Sequence, residues 1–406
     1  LSCRGHEIRV LTTKRDLSLK VASKNFAYTV VRRLHSPARK MRFLDWLTTR
    51  KVTRWLGIGL VFLRETLDDI QDTSLLDAQI SAFKPDIIYL GHIMPLTRVF
   101  MPYLSKLQIP IVADEGGKGL IYFWEDHGLW QRFLAEFPEK SALLAWFKKV
   151  FIAAVERLSR GRVGKTWAFP EGIRAFFNSR LNARNAEIAG VPLAESKVIH
   201  SGIDTEFFTF ERVKDFGSPL TILVPGRLEE NKRQLDAVRL GALLKEKGIP
   251  FELVIVGERW NNAYVEQIEA EISVTQLKNE IRINPMVKRA DLVKLYHWAD
   301  ICFFPSMQNA GFSRIPLETM ACGSLVISYG CEGSDEIIID GENGFLTKPK
   351  DVESVGKVIV KLLEDSQLHF SITHQARIFI ESQYAFPRYI QKVEEYILST
   401  ESLRIS

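Results

Sequence analysis

The fold is decided by the stretch ADICFFPSMQNAGFSRIPLETMACGSLVISYGCEGSDEIIIDGENGF, residues 299–345. The apolar run Ile301–Pro305 predicts a buried strand, and the aperiodic segment after it predicts a loop. Pro316 would begin a helix, because its fixed φ is already helical, and Gly323 would end that helix as a left-handed cap. Ser324–Tyr329 predicts the next buried strand. This succession is typical of doubly wound α/β folds, which bind ligands at the carboxyl ends of their parallel strands.

The start of the predicted helix carries the chemistry of this stretch. The amides of Gly311, Phe312 and Ser313 precede the helix, and free N–H groups at a helix start favour an anion, most often phosphate. Glu318 lies in the first turn, and its two carboxylate oxygens can accept both hydroxyls of a ribose. The alternative role of Glu318 is only to complement the helix dipole.

A second motif, LTILVPGRLEENKRQLDAV, lies at residues 220–238. Gly226 follows a predicted strand and allows the backbone to approach a ligand closely. Arg227 can offer a two-pronged contact to phosphate, and Lys232 can offer a point charge. The alternative is a pair of ordinary surface cations.

Both motifs resemble those of a known protein family. The segment GFSRIPLETMACGSLVIS, followed by Glu336 and DGENGFL, resembles the donor-binding signature of the family 4 retaining glycosyltransferases, and GRL with Lys232 resembles their diphosphate-binding pair. The resemblance implies that Glu318 binds the donor ribose and that Arg227 and Lys232 hold the diphosphate. It also implies that the main chain near Val287 holds the nucleobase of a UDP- or GDP-sugar, which is a substrate, and it implies no cofactor.

One position departs from the family pattern. Ala310 stands where the family has its first Glu, which lies near the transferred sugar. This leaves open which sugar hydroxyl the donor site recognises, and it keeps two alternatives: a non-catalytic or altered-activity partner subunit, and a nucleotide-sugar epimerase or phosphorylase on the same fold. A dehydrogenase and a P-loop NTPase are disfavoured, because the sequence contains neither GxGxxG after a strand nor GxxxxGK[ST].

The resemblance implies a GT-B fold, in which two Rossmann-like doubly wound α/β domains face a cleft. The implied parts are an acceptor-binding domain at 1–208, a nucleotide-sugar-binding domain at 209–386 and a helix at 387–406 that crosses back to the first domain. In the family the segment GHEVxVLT opens the second strand. The matching GHEIRVLT lies at residues 5–12 here, so the first β-α unit of the N-terminal domain is expected to be absent.

Strands and helices are predicted to alternate along the chain, which indicates parallel sheets. The strands predicted in the first domain are Ile8–Thr13, Pro85–Gly91, Ile109–Asp114, Lys165–Phe169 and Lys197–His200, and Gly172–Gly190 is predicted to be helical. The strands predicted early in the second domain are Leu220–Val224, Phe251–Val256 and Glu280–Asn284. The tail 351–406 is predicted to be helical with a break at Pro387.

Polar residues follow two predicted strands of the first domain. His92 comes after one strand, and Asp114 and Glu115 come at the end of the next. Because the family's loops after these strands face the cleft, the resemblance makes the three residues candidates for catalysis. The alternative is that they are loop residues without a catalytic role.

Two segments of the first half, 30–64 and 141–165, combine Lys and Arg with Trp, Phe and Leu. The pattern predicts amphipathic helices that lie on an anionic membrane surface. Ordinary solvated helices are the alternative, and nucleic acid is a weaker one. No apolar run approaches the ~20 residues that span a bilayer, so a cytoplasmic protein, peripheral on the inner face of the membrane, is expected.

The composition is that of an ordinary globular protein, with 46% hydrophobic residues, 25% charged residues and a net charge of +5. The 4 cysteines show no disulfide or metal-ligand spacing, which favours a reducing compartment and no metal site. The resemblance then implies a metal-independent, retaining hexosyl- or related glycosyltransferase. Its acceptor would be a glycan, a lipid-linked molecule or a small molecule.

Overall fold

The computed structural model describes residues 1–13, 28–34, 54–94, 96–126, 128–136, 141–163, 167–211, 216–217, 219–308 and 311–399. The chain divides into two compact units. Unit 1 comprises Leu1–Phe177, Ala183–Lys197 and Glu394–Ser406, and unit 2 comprises Asn178–Asn182 and Val198–Val393.

Unit 1 is built on parallel strands joined by helices. Its strands are β1 (Ile8–Thr13), β2 (Tyr28–Leu34), β3 (Ile88–Gly91), β4 (Ile111–Glu115), β5 (Arg174–Phe177) and β6 (Glu195–Val198). Its helices are α1 (Arg54–Phe83), α2 (Phe100–Leu104), α3 (Gly119–Glu125), α4 (Gly128–Glu136), α5 (Ala142–Ser159) and most of α6 (Arg180–Ile188). Strand β1 pairs with β2, and a second sheet has the order β3-β4-β5-β6. The pairs β1/β2, β3/β4 and β4/β5 are parallel.

An apolar core holds the second sheet of unit 1. Ala113 of β4 and Ala175 and Phe177 of β5 are buried together with Phe100 of α2 and Leu120 of α3. Burial of this apolar surface is the main force that holds the helices on the sheet.

Two predictions about this sheet are wrong. The strand predicted at Lys165–Phe169 is not formed at 167–169, and 164–166 lie outside the described residues. The helix predicted at Gly172–Gly190 is instead β5 followed by α6. The reason is that RAFF in β5 is buried at every position, and a short apolar run fits a central strand as well as a buried helix.

The basic segment 30–64 is not helical throughout. Val30–Leu34 lies in β2, which pairs with β1 from Tyr28 onward, because its adjacent valines favour a strand. Residues 35–53 lie outside the described residues, and α1 begins at Arg54. In the other basic segment, Ala142–Ser159 forms α5 as predicted.

Unit 2 contains a parallel sheet with helices on both faces. Its strands are β7 (Leu220–Pro225), β8 (Phe251–Val256), β9 (Ile281–Asn284), β10 (Ile301–Phe304), β11 (Leu325–Ser328) and β12 (Phe345–Leu346). Its helices are α7 (Gln234–Glu246), α8 (Asn262–Val274), α9 (Arg289–Trp298), α10 (Ile315–Cys322), α11 (Val352–Glu364), α12 (Ser366–Gln383) and the first part of α13 (Phe386–Leu398).

The strand order of unit 2 is β12-β11-β10-β7-β8-β9, with every neighbouring pair parallel. Numbered from β7, this is the Rossmann order 3-2-1-4-5-6, whose direction reverses between β7 and β10. Ligands of such sheets bind outside the carboxyl ends of the strands at that point of reversal. The segments that leave β7 and β10 are therefore where the site is expected.

The strands of unit 2 bury side chains on both faces. Ile222 of β7 and Phe303 of β10 belong to one apolar cluster, and Leu223 and Cys302 of the same strands belong to the other. A sheet covered on both faces needs strands that are apolar at consecutive positions. This is why Ile301–Phe304 reads as an unbroken apolar run.

The stretch that decided the fold forms as predicted. Strand β10, helix α10 and strand β11 follow one another, and Pro316 lies in the first turn of α10. Gly323 caps the helix with a φ of 88°. The described part of the tail is helical through Leu398, with breaks at Asp365 and at Tyr384 and Ala385, where the chain bridges to Ile203. Pro387 lies inside the first turn of α13, where proline is tolerated.

Candidate functional site

The carboxyl end of β7 approaches that of β8 very closely. Gly226 follows β7 with a φ of 143°, and its amide donates to the Val256 carbonyl at 3.0 Å. A Cβ added at Gly257 would lie 1.8 Å from the Gly226 carbonyl oxygen, so only glycine fits at that position. This contact fixes the backbone immediately before Arg227.

The side chain of Arg227 is half-exposed and held from two sides. Its Nη2 lies 2.9 Å from Glu229 Oε1, and its Cζ lies 4.9 Å from the ring centroid of Trp260. An aromatic face supports a guanidinium without using its N–H donors. Arg227 can therefore present donors to a phosphate group.

The side chain of Lys232 is buried at the point where the strand order reverses. Its Nζ donates to Glu332 Oε2 at 2.5 Å and to Gln308 Oε1 at 2.9 Å. Ser306 Oγ donates to the same Glu332 oxygen at 2.7 Å. These four side chains come from the segments after β7, β10 and β11, so the sheet order brings them together.

The loop before α10 is tied to two other segments of unit 2. The amide of Gly311 donates to Asn182 Oδ1 at 3.2 Å, and the amide of Ser313 donates to the Glu332 carbonyl at 3.0 Å. The ring of Phe312 lies 5.3 Å from that of His200. Ala310, the residue at which this sequence differs from the family pattern, lies outside the described residues.

Backbone donors remain available at the start of α10. Among the residues that the structure describes, the amides of Phe312, Arg314 and Leu317 have no protein acceptor. Free amides and the helix dipole together favour an anion at this position. Phe312 is one of the three predicted phosphate-binding amides, and the amides of the other two, Gly311 and Ser313, donate within the protein.

Glu318 lies in the first turn of α10 and is only 7% exposed. Its Oε2 accepts from Tyr296 Oη of α9 at 3.0 Å. Burial raises the pKa of Glu318, and the Tyr296 hydrogen bond and the charges of Arg314 and Arg289 offset part of this rise. The carboxylate is thus held in one orientation with capacity for further hydrogen bonds.

Glu336 connects the start of α6 with His200. Its carboxylate accepts from the Arg180 amide at 2.8 Å, and His200 Nε2 lies 2.8 Å from it. Burial alone would raise the pKa of Glu336, but the hydrogen bonds from His200 and from the Arg180 and Leu181 amides lower it below its usual value. An ionised Glu336 caps the helix start and so positions Asn182, the partner of the Gly311 amide.

The remaining donor-site candidate, Val287, follows β9 and is half-buried against the core of unit 2. The three catalytic candidates of the first half, His92, Asp114 and Glu115, lie in unit 1. Gly91 pairs in register with Asp114, so His92 and Asp114 lie at the same edge of that sheet. His92 is exposed and has a φ of 47°.

The carboxylates at the end of β4 differ in their partners. Asp114 accepts from Tyr89 Oη at 2.6 Å. Burial raises the pKa of Asp114, against the effect of this hydrogen bond. Glu115 accepts from the amides of Gly117 and Leu120 at 2.8 and 2.6 Å. Glu115 therefore caps the loop and the start of α3.

Several residues of the site are absent from the sequence-based predictions. Glu332 was not predicted as a partner of Lys232, nor Trp260 as a support for Arg227, nor Gly257 as a requirement of the backbone. The available signal was positional: Gly257 directly follows β8, and Glu332 lies four residues after β11. Both positions are at the carboxyl edge of a parallel sheet, where functional residues concentrate.

Comparisons with known proteins agree with this architecture. Residues 207–379 match the family model described as Glycosyl transferases group 1. An uncharacterised glycosyltransferase of Methanocaldococcus jannaschii is 30% identical over 155 residues, which are 38% of this chain and 36% of that protein. The chain thus spans about a third of the length of this curated relative.

Two of the solved structures that resemble this chain cover nearly all of it. A glycosyltransferase from Rickettsia africae superposes with a TM-score of 0.67 at 16% identity, over 98% of this chain and 91% of that one. Anabaena HepE in complex with UDP-glucose superposes with a TM-score of 0.58 at 16% identity, over 96% of this chain and 99% of that one. At this identity the likeness concerns the fold, and it confirms the predicted GT-B type of α/β architecture. The family match shows that residues 207–379 are similar to the Glycosyl transferases group 1 family.

Proposed function

We propose that this protein transfers a sugar from a nucleoside diphosphate sugar to an acceptor, with retention of the anomeric configuration. The observation that carries the proposal is the set of groups at the carboxyl ends of β7 and β10. There the buried carboxylate of Glu318 and the cations Arg227 and Lys232 lie on segments that leave neighbouring strands. A carboxylate for ribose hydroxyls and cations for a diphosphate are the groups that such a donor requires.

The chemistry of the transfer depends on the leaving group. As the bond between the sugar and the diphosphate breaks, negative charge grows on the diphosphate, and preorganised cations and amides stabilise that charge in the transition state. Arg227, Lys232 and the free amides at the start of α10 would perform this task. We propose that no metal ion is needed, because these groups already supply positive charge.

The donor is proposed to be a UDP- or GDP-sugar. The family resemblance supports this choice, and so does the likeness in fold to HepE, which was solved with UDP-glucose. Ala310 stands at the position of the family's first Glu and has no carboxylate. We therefore propose that the donor sugar is recognised by protein groups other than those used in most of the family. Ala310 also keeps an altered or lost activity as the second candidate function.

The acceptor is proposed to be a glycan or a lipid-linked molecule at an anionic membrane surface. Helix α5 exposes an apolar row on one side, with Leu143 at 72%, Trp146 at 60% and Phe147 at 49% exposure. Lys149 and Arg157 of the same helix are exposed as well. No helix in the described part of the chain has the length and hydropathy of a membrane span, so the proposed contact is one in which α5 lies on the surface.

The transfer proposal is tested on the full chain. Thermal-shift measurements with UDP, GDP and their sugars identify the donor, and the hydrolysis or transfer of that donor is then followed with and without EDTA. Arg227→Ala should lower transfer about a hundredfold, as removal of one transition-state donor does. Arg282→Ala is the matched control, because Arg282 is an exposed cation of β9 paired with Glu252. Equal activity of the two variants would contradict the assignment of Arg227.

A further inference from the structure

A carboxylate of this chain is bound to Lys232, the buried cation that follows β7. Glu332 Oε2 lies 2.5 Å from Lys232 Nζ and accepts from Ser306 Oγ at 2.7 Å. An ammonium and a hydroxyl that converge on one carboxylate oxygen are also the donors that a phosphate oxygen attracts. The charge of Lys232 is therefore neutralised within the protein itself.

Glu332 takes this position with an unfavourable backbone conformation. Its φ is 56°, in the left-handed region that steric contacts of Cβ disfavour for residues other than glycine, asparagine and aspartate. Such strain persists only where the surroundings enforce it, and it concentrates at functional sites. The Glu332 carbonyl also accepts from the Ser313 amide, so the same residue contacts the loop before α10.

We propose that Glu332 is a displaceable counter-anion, whose carboxylate competes with the donor diphosphate for Lys232. This inference rests on the proposed function, in which Lys232 binds that diphosphate. Molecules in which Glu332 holds Lys232 are not competent to bind a second anion there. The apparent affinity for the diphosphate is therefore the intrinsic affinity multiplied by the fraction of competent molecules. The base, ribose and sugar of a complete donor would compensate for this loss.

The counter-anion also has a consequence for the end of the reaction. After transfer, the nucleoside diphosphate has lost the contacts that its sugar made. Return of the Glu332 carboxylate to Lys232 would then favour release of the product. Product release limits turnover in many enzymes. By favouring release of the nucleoside diphosphate, Glu332 would lower product inhibition.

The test measures anion binding to the full chain by isothermal titration calorimetry, with inorganic pyrophosphate, UDP and GDP as probes. Glu332→Gln keeps the shape of the side chain and removes its charge, and Glu332→Gly also relieves the backbone. Both should bind pyrophosphate about tenfold more tightly than the unmodified protein, which corresponds to about 1.4 kcal/mol. Glu342→Gln, at an exposed turn, removes the same charge away from Lys232 and should bind like the unmodified protein.

A second comparison separates competition from general effects. In a Lys232→Met background, Glu332→Gln should no longer strengthen binding, because the competition passes through Lys232. Unchanged or weaker binding in both Glu332 variants would overturn the inference, as would an equal gain in Glu342→Gln. If the unmodified protein binds UDP or GDP and only the Glu332 effect is missing, the proposed function stands without the counter-anion. If no form binds any probe, both proposals fail.

Discussion

The most informative single residue is Glu318, because its surroundings distinguish binding of the donor ribose from merely complementing the helix dipole. A glutamate that only complements a helix dipole can remain in solvent, as Glu353 does in the first turn of α11. Glu318 is instead buried, and Tyr296 holds its carboxylate. Burial of a carboxylate costs free energy unless hydrogen bonds compensate for it. A buried carboxylate is therefore expected at a site where a bound ligand completes its hydrogen bonds.

Replacement of Glu318 tests this distinction. Glu318→Gln should lower transfer about a hundredfold, since the carboxylate that accepts the ribose hydroxyls is lost, and the KM for the donor should rise. Tyr296→Phe should lower transfer less, about tenfold, because it removes only a positioning hydroxyl. Steady-state kinetics of the purified variants give both numbers.

Glu353→Gln is the matched control for Glu318, because it removes a first-turn carboxylate from an exposed position. It should keep full activity and lose only the small dipole contribution to stability. If Glu318→Gln behaves in the same way, Glu318 is a helix-dipole residue and not part of the donor site.

The sequence identifies the charged residues of the site but not all of their partners. Arg227, Lys232 and Glu318 could be named because each follows a buried strand or begins a helix in a recognisable pattern. The contact between Glu332 and Lys232 could not be named, although Glu332 follows β11, because it depends on a left-handed backbone and on strands β7 and β11 ending at one edge of the sheet. Neither feature leaves a periodic trace in the sequence.

At the scale of elements, the close approach of the carboxyl ends of β7 and β8 fixes the position of Arg227 and Lys232. Gly257→Ala would place a Cβ 1.8 Å from the Gly226 carbonyl oxygen, and backbone cannot yield as a flexible side chain can. We expect a loss of about 3 kcal/mol in the free energy of unfolding, at the upper end for overpacking. Urea unfolding followed by circular dichroism measures it.

Gly117→Ala is the control for this substitution. A Cβ at Gly117 would meet its nearest neighbour, Glu115 Oε1, at 3.9 Å, which is ordinary contact. The control should unfold like the unmodified protein. Equal stability of the Gly257 and Gly117 variants would show that the backbone at Gly226 can move.

The exposed aromatic residues of α5 in unit 1 predict binding to an anionic membrane surface. Helix α5 packs on α1 through Phe62 and Phe151, whose ring centroids are 5.7 Å apart, and leaves Trp146 and Phe147 exposed. The double variant Trp146→Ser and Phe147→Ser should bind phosphatidylglycerol vesicles at least about tenfold more weakly, because each aromatic ring loses more than a kcal/mol of apolar burial. Vesicle co-sedimentation measures the change.

The membrane prediction has two controls. Ile378→Ser removes an exposed apolar residue, at 64% exposure, from α12 of unit 2 and should leave vesicle binding unchanged. Binding should also weaken with added salt, because cations near an anionic surface contribute about 1 kcal/mol each and are screened. Equal binding to vesicles of phosphatidylcholine alone would contradict the role of the cations.

The elements themselves were predictable where the pattern was long. The apolar run of β10, the proline start of α10 and the glycine cap define that region from sequence alone. Strand β5 was missed because its four residues RAFF are separated from α6 by only two residues and fit either a strand or a helix. Only the pairing with β4 decides between the two, and pairing is a property of the folded chain.

At the scale of the whole molecule, the first and the last described residues both lie in unit 1. The end of α13 contacts this unit through Tyr396, whose Oη donates to the Ala175 carbonyl at 2.9 Å. Glu394 of the same helix accepts from Arg4 Nε at 2.5 Å, and His6 Nε2 lies 2.7 Å from its other oxygen. The first and last described segments are thus joined by one carboxylate.

This junction predicts a pH dependence of stability. The hydrogen bonds from Arg4 and His6 lower the pKa of Glu394 to about 2, from an ordinary value of 4.5. Since the folded-state pKa is the lower one, the stabilisation is fully present above pH 4.5 and is lost as the pH falls toward 2. Glu394→Gln should therefore unfold at a lower temperature than the unmodified protein at pH 7, and the difference should shrink steadily below pH 4.5. Differential scanning calorimetry from pH 7 to pH 3 measures it, with Glu187→Gln, an exposed residue of α6, as control. A difference that stays constant across this range would mean that Glu394 stabilises unit 1 by packing and not by its charge.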